Sequence, residues 1–185
     1  MQKEGRNTRM KSLLMSIGAV VALAGLASAQ SPAATETKTI GGKTISIKYS
    51  APKVNGRTGK IFTKDGLIGK DKTYPVWRAG ANSATTLTTD ADLDIGGLAV
   101  PKGTYTLFVD ISDPANWQLI VNKQTGQWGL SYDKAQDLGR VKMTMSKPAS
   151  TVENLKYTIT DAGGNKGKIE LAWEDHVGSV PFTVK

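Results

Sequence analysis

The sequence predicts an all-β fold, specifically an antiparallel β-sandwich of jelly-roll-like kind. Three observations predict it. About ten short runs after residue 29 alternate apolar and polar residues, the period-2 signal of half-buried strands. Clusters of Gly, Pro, Asn and Asp punctuate those runs. No stretch beyond residue 29 keeps a helical period, so nothing supplies helices to cover a parallel sheet. A closed up-and-down barrel satisfies the same alternation and is the alternative architecture.

The first predicted element is a hairpin over Thr35–Ser50. Ile45, Ile47 and Tyr49 alternate with Ser46, Lys48 and Ser50, and Gly41-Gly42 permits the positive φ angles of a tight turn. Residues 52–72 form a basic, glycine-rich loop, with Ile61-Phe62 and Leu67-Ile68 as apolar pairs that pin it to the body. Tyr74 to Asp90 follows, strand-forming residues around a small-residue corner at Gly80. Leu93 and Ile95 run into a second Ile-Gly-Gly turn at Gly96-Gly97. Tyr105, Leu107, Val109 and Ile111 share one face of the next strand, which ends at Asp113-Pro114; Trp117, Leu119 and Val121 alternate in the one after. Residues 124–139 are irregular, with Asp133 and Gln136 at capping-box spacing for one helical turn. Four further strands are marked by Val141/Met143/Met145, Leu155/Tyr157/Ile159, Ile169/Leu171/Trp173 and Val180/Phe182/Val184. Gly163-Gly164-Asn165 and Asp175–Gly178 are the predicted turns among the last three. Parity places Trp117 and Trp173 in the core.

The first 29 of the 185 residues have the form of a secretory signal. Lys3, Arg6, Arg9 and Lys11 give a basic start, Leu13–Leu26 an apolar run, and Ala27-Ser28-Ala29 a small-residue cleavage site. At about 14 residues the apolar run is shorter than the roughly 20 that span a bilayer. The predicted organisation is therefore a signal peptide over 1–29 and a single all-β domain over 30–185, exported to the periplasm or beyond the cell. With no cysteine in the chain, disulfides, thiolate metal sites, thiol nucleophiles and a lipid-anchored cysteine are excluded. The chain holds 24 basic and 16 acidic residues; four of those bases and one acid lie in the first 29, leaving 20 against 15, or +5. Only three of the remaining bases are Arg (Arg57, Arg78 and Arg140). So Lys-dominated a charge suits phosphate-reading poorly, and no nucleic-acid partner is expected.

Candidate functional residues gather at the corner. Val76 and Arg78 share strand parity, so a core-facing Val76 turns Arg78 inward, where a guanidinium requires hydrogen-bonding partners. Asn82, Thr85 and Thr86 can complete a polar network with it or face a ligand; both readings stay open. Trp77, in the corner itself, and Arg57, in the preceding basic loop, are counted with this group, and Trp128, in Gln-Trp-Gly between loops, has the flat face of a ligand platform. Asp90, Asp92 and Asp94 begin like a calcium loop, but Ile95 and Pro101 stand where that loop needs Gly and Glu. His176 is the only histidine. It is read as an exposed turn residue, because no nucleophile elbow accompanies it and one imidazole is a poor start for a metal site. Glu153, Glu170 and Glu174 have no spacing that selects a hydrolytic pair. No catalytic residue, metal or cofactor is assigned.

Five stretches carry a family resemblance. They are Gly-Arg-x-x-Lys-Ile-Phe from Gly56; Val-Trp-Arg-x-Gly-Ala-Asn-x-Ala-Thr-Thr from Val76 to Thr86; Ile-Gly-Gly…Pro-x-Gly-Thr-Tyr-x-Leu-Phe from Ile95 to Phe108; Asn-Lys-x-x-x-Gln-Trp-Gly from Asn122; and Trp173…Val180-Pro181-Phe182. Together they resemble a bacterial domain-of-unknown-function family, number twenty-nine eleven in that series. The resemblance covers nearly all of the chain after residue 29. It implies a secreted or envelope protein and implies no reaction. The stretch from Ile68 to Val76 is longer and richer in Lys than the family's usual link. The reading that combines residues and resemblance is a noncatalytic binding module for a glycan, peptide or small molecule, with its polar site at Val76–Thr86. The alternatives are an envelope or structural protein, and then a carboxylate-dependent hydrolase. Ligand identity and oligomeric state stay open.

Overall fold

The computed structural model describes residues 30–185; the predicted signal sequence lies outside the described residues. Thirteen strands form two antiparallel sheets packed face to face, a β-sandwich and not a closed barrel. One sheet holds β1 (Ala33–Ile40), β2 (Lys43–Ser50), β4 (Thr85–Thr89), β7 (Gly103–Asp110), β8 (Gln118–Asn122) and β9 (Asp137–Lys142) in that order, with β3 (Val76–Trp77) also pairing β7. The other runs β11 (Val152–Asp161), β12 (Lys166–Glu174), β13 (His176–Val184), β5 (Leu93–Ile95) and β6 (Leu98–Val100), with β10 (Thr144–Ser146) on β13. The barrel alternative fails because the two sheets keep separate hydrogen-bonded orders. The chain passes from one sheet to the other at Met143, buried between β9 and β10, whose N–H donates to the Trp117 carbonyl.

The predicted hairpin is present: Ile40 pairs Lys43 across Gly41-Gly42, which take φ of 58° and 74°. Ile45, Ile47 and Tyr49 point inward, as their alternation requires. β7 departs from simple alternation. Tyr105, Leu107 and Val109 face the main core, yet Thr106 and Phe108 are buried as well. Phe108 joins Val76, Ile120 and Tyr132 in a small apolar cluster on the outer face of the sheet. The irregular segment after β8 covers that face. Its one helical turn is a 3-10 turn at Lys134–Gln136, capped by Asp133, which accepts from the Ala135 N–H at 2.9 Å.

An aromatic group fills one end of the sandwich. Trp77, Trp117 and Trp173 are each at most 2% exposed. Phe62, from the basic loop, sits against all three with ring centres 5.0–5.8 Å away. Ile61 and Ile68 of the same loop are buried, so the loop is pinned as its apolar pairs predict, although Leu67 stays exposed. The predicted turn at Asp175–Gly178 is tighter and earlier than expected. Trp173 pairs His176, leaving Glu174-Asp175 as the two turn residues. The strand continues through His176–Gly178 because Val177 and Gly178 pair into β12 and β10. His176 is therefore not an exposed turn residue: it begins β13 and stacks on Trp117 at 5.1 Å with the rings 6° from parallel.

Candidate functional site

The corner is an interruption in a strand. Trp77 pairs Val109 and Thr85 pairs Leu107, both on the same side of β7. Residues 78–84 therefore leave the sheet opposite one partner residue, Phe108. Ala79 takes φ 47° and Asn82 φ 59°, left-handed conformations unusual for residues other than glycine. Polar bonds hold them there. The Ala79 carbonyl accepts from the Thr85 hydroxyl and from the Tyr157 hydroxyl of the opposite sheet, each at 3.1 Å. The Tyr49 hydroxyl accepts the Tyr157 backbone N–H at 3.3 Å. Burial pushes the Tyr157 phenol well above its ordinary range. Gly80 is required by close approach, since a Cβ would lie 2.8 Å from the Thr85 hydroxyl.

The corner's outer edge is zipped to the segment after β8. Asn82 accepts from the Gly129 N–H at 3.0 Å, Ala84 donates to the Gln127 carbonyl at 3.2 Å, and Ser83 bridges to Trp128. Residues 78–84 thus separate two hollows. The inner one is a recess of about 70 Å³ bounded by Arg78, Asp71, Trp77, Ala81 and Trp173. The outer one is a groove of about 280 Å³ lined by Lys48, Tyr49, Ser50, Ser83, Thr86 and Gln127.

The predicted residues divide between these places. Trp77 is 1% exposed and Thr85 0%, so both belong to the core rather than to an open face. Trp77, not Val76, faces the main core, and the parity argument for Arg78 shifts accordingly. Arg78 is 18% exposed, and its aliphatic stem lies beneath Gly129. Its nearest carboxylate is Asp71 at 3.7 Å, beyond hydrogen-bond reach, and its guanidinium makes no hydrogen bond among the described residues. Burial raises the Asp71 carboxyl above its ordinary value, with Arg78 opposing. Asn82 does not meet Arg78; its amide reaches the Ser31 carbonyl at 3.4 Å. Arg57 staples its own loop, donating to the Val54 and Lys53 carbonyls at 2.9 and 2.6 Å. Thr86 lines the outer groove; Trp128, 52% exposed, bridges Ser83 and follows the lining residue Gln127 in the chain.

Sequence reasoning missed much of the groove. Lys48, Tyr49 and Ser50 come from β2, far away in the chain, and Gln127 was noticed only as a neighbour of Trp128. Gln127 donates its amide to the Thr106 hydroxyl at 3.2 Å, while its side-chain carbonyl is buried without a partner. The three aspartates after the corner have plain local roles: Asp90, Asp92 and Asp94 accept from the N–H groups of Thr44, Lys102 and Gly97 at 2.7–2.9 Å.

Across the sheet, a second polar group is tied together by hydrogen bonds. Arg140 reaches Asp110 and the Tyr132 hydroxyl, both at 2.7 Å, and Tyr132 donates to Asp137 at 2.7 Å. Burial and then the Asp137 bond push the Tyr132 phenol up to about 12. This network ties the segment after β8 onto β7, β8 and β9. Among the described residues, no helix is long and apolar enough to cross a membrane.

The family described as "Protein of unknown function (DUF2911)" matches residues 31–182 of the chain. No curated protein and no solved structure matches it.

Proposed function

We propose that this chain, which belongs to the DUF2911 family, is an exported, noncatalytic binding domain whose ligand lies in the groove outside the Val76–Thr86 corner. A glycan fits that groove best. The observation that carries the reading is the groove of about 280 Å³ lined by hydroxyl, amide and amine groups; Trp128, 52% exposed, follows its lining residue Gln127 in the chain and bridges its lining residue Ser83. A large indole left in water offers an apolar face to the CH surface of a sugar ring. Ser50, Ser83, Thr86, Lys48 and Gln127 offer donors and acceptors to its hydroxyls. The groove floor belongs to strands and to a corner held by backbone bonds, which supports preorganised recognition. Arg78 sits on the other side of the corner and acts in this reading as support for the Gly129 segment.

The test is an oligosaccharide array followed by calorimetry on the tightest hit. Trp128→Ala and Thr86→Val are expected to abolish or weaken binding at least tenfold without changing the melting temperature. Retention of the same glycans by both variants would overturn the reading. Export rests on the tripartite pattern of residues 1–29. Protein from the periplasm or medium is expected to begin at Gln30 by intact mass, and recovery only as full-length cytoplasmic chain would refute it.

A further inference from the structure

A separate group of side chains gathers at the tip of the β12–β13 hairpin. We infer that Glu174, Asp175 and His176 form a binding site for a divalent transition-metal cation, with zinc the best match. Each residue brings a ligand atom to within 4.8 Å of the other two. Asp175 Oδ1 lies 2.6 Å from His176 Nδ1. The two make an ion-pair contact, and Nδ1 itself is buried from water. A cation that takes the place of the shared proton would meet both the ring nitrogen and the carboxylate oxygen.

Charge carries the inference further. Glu174 is only 2% exposed, and no cationic side chain pairs with it among the described residues; its carboxylate accepts the Gly59 N–H. A buried carboxylate without a counter-charge is costly. A cation between Glu174 and Asp175 supplies that counter-charge. Gly59 would then act as the outer hydrogen bond that orients a ligating carboxylate. Phe62 and Trp117 pack on the imidazole at ring-centre distances of 4.6 and 5.1 Å and limit how far its plane can turn.

The donor set selects the kind of metal. One imidazole and two carboxylates suit zinc and its neighbours, whereas magnesium and calcium prefer oxygen alone. Zinc takes N and O ligands at about 2.0–2.2 Å, a reach that suits ligand atoms lying within 4.8 Å of one another once Asp175 turns away from His176 Nδ1. Asp175 and His176 also line a cleft of about 380 Å³ with Pro114, Met145, Ser146 and Lys147, which gives a cation a way in from solvent. Lys147 is exposed and its amine is free to swing away from a bound cation.

Calorimetry with zinc chloride on the purified protein tests the site. One zinc per chain is expected, with no binding of magnesium at the same concentration. His176→Gln and Glu174→Gln are each expected to weaken zinc at least tenfold. Asp175→Asn alters a half-exposed side chain; it is expected to fold normally and to weaken zinc as well, so it decides the matter should either of the others fail to fold. Cobalt(II) substituted for zinc is expected to give visible ligand-field bands that disappear in Asp175→Asn. Absence of zinc binding in the wild-type protein, or equal zinc affinity in wild type and Asp175→Asn, would overturn the inference.

Discussion

The Ala79 carbonyl gives the sharpest test of what holds the corner. It is buried, belongs to a residue at φ 47°, and has two donors, Thr85 and Tyr157, each at 3.1 Å. Thr85 and Tyr157 are 0% and 1% exposed, so water cannot replace either hydroxyl without opening the sandwich. Thr85→Val and Tyr157→Phe each delete one bond and leave the shape nearly unchanged. Each is expected to cost about 0.5–1.5 kcal/mol, the net worth of an ordinary hydrogen bond. The double variant differs in kind, because it leaves a buried carbonyl with no donor, at a further cost of about 1–3 kcal/mol. The two changes are therefore expected to couple by about 1 kcal/mol or more, the double being worse than the sum. Urea unfolding of the four proteins measures this, provided the slope stays constant. Additivity within about 0.3 kcal/mol would show that the two hydroxyls do not share the carbonyl, and that the backbone at Ala79 is held by other means.

Trp117→Ala is expected to lower stability by ~3–5 kcal/mol, since the ring is 2% exposed and packs on Phe62, Trp77 and His176; denaturant melts read it. Arg78→Lys is expected to change stability by less than ~0.5 kcal/mol, because a 3.7 Å pair with Asp71 gives the guanidinium fork nothing to lose, and a loss above ~1 kcal/mol in the same melts would show a partnered fork. Alkali is expected to destabilise the fold. The Tyr132 phenol is held up to about 12 against an ordinary 10.0. Its unfolded form therefore loses the proton first, so stability is intact below about pH 10 and falls as pH rises toward 12. Tyr157 acts in the same direction. Tyr132→Phe is expected to shallow that decline in urea midpoints measured across the alkaline range.

Most of the sandwich was legible because its strands have one wet face. Ile45/Ile47/Tyr49 and Ile169/Leu171/Trp173 announce themselves by parity, and their burial follows it. β7 hid its second buried face. Thr106 and Phe108 read as ordinary positions until the segment from Gln124 to Asp137 folds over them, and nothing local in the sequence says that it will. The β12–β13 turn was misplaced for a related reason. Gly178 looks like a turn residue, but it sits in a strand where Met143 and Met145 press against its missing side chain. The corner was legible as a place, through Gly80 and its small neighbours, and illegible as a mechanism. Its key donor, Tyr157, comes from the opposite sheet, and alternation marked that residue only as core. Arg78 drew notice by scarcity, yet scarcity carries no information about partners, and its nearest charge lies in the preceding loop.

The interruption at residues 78–84 explains why a groove forms here and not along a neighbouring strand. A continuous strand from Trp77 to Thr85 would lie flat against β7, with side chains alternating inward and outward and no backbone leaving the sheet. Inserting several residues opposite Phe108 frees the backbone to do two things at once. Ala79 dips toward Tyr157 and anchors the corner in the core. Asn82 to Ala84 rise outward and pair with Gln127 to Gly129. The segment after β8 is thereby drawn beside the C-terminal end of β2, and the space left between Tyr49, Thr86 and Gln127 is the groove. Its walls follow from the same bonds that satisfy the displaced backbone. A change that straightens the corner, such as filling the space at Gly80 against the Thr85 hydroxyl, would therefore act on the groove and on stability together. A change at Thr86, whose hydroxyl makes only a long 3.4 Å bond to the Ala84 carbonyl, would act mainly on the groove.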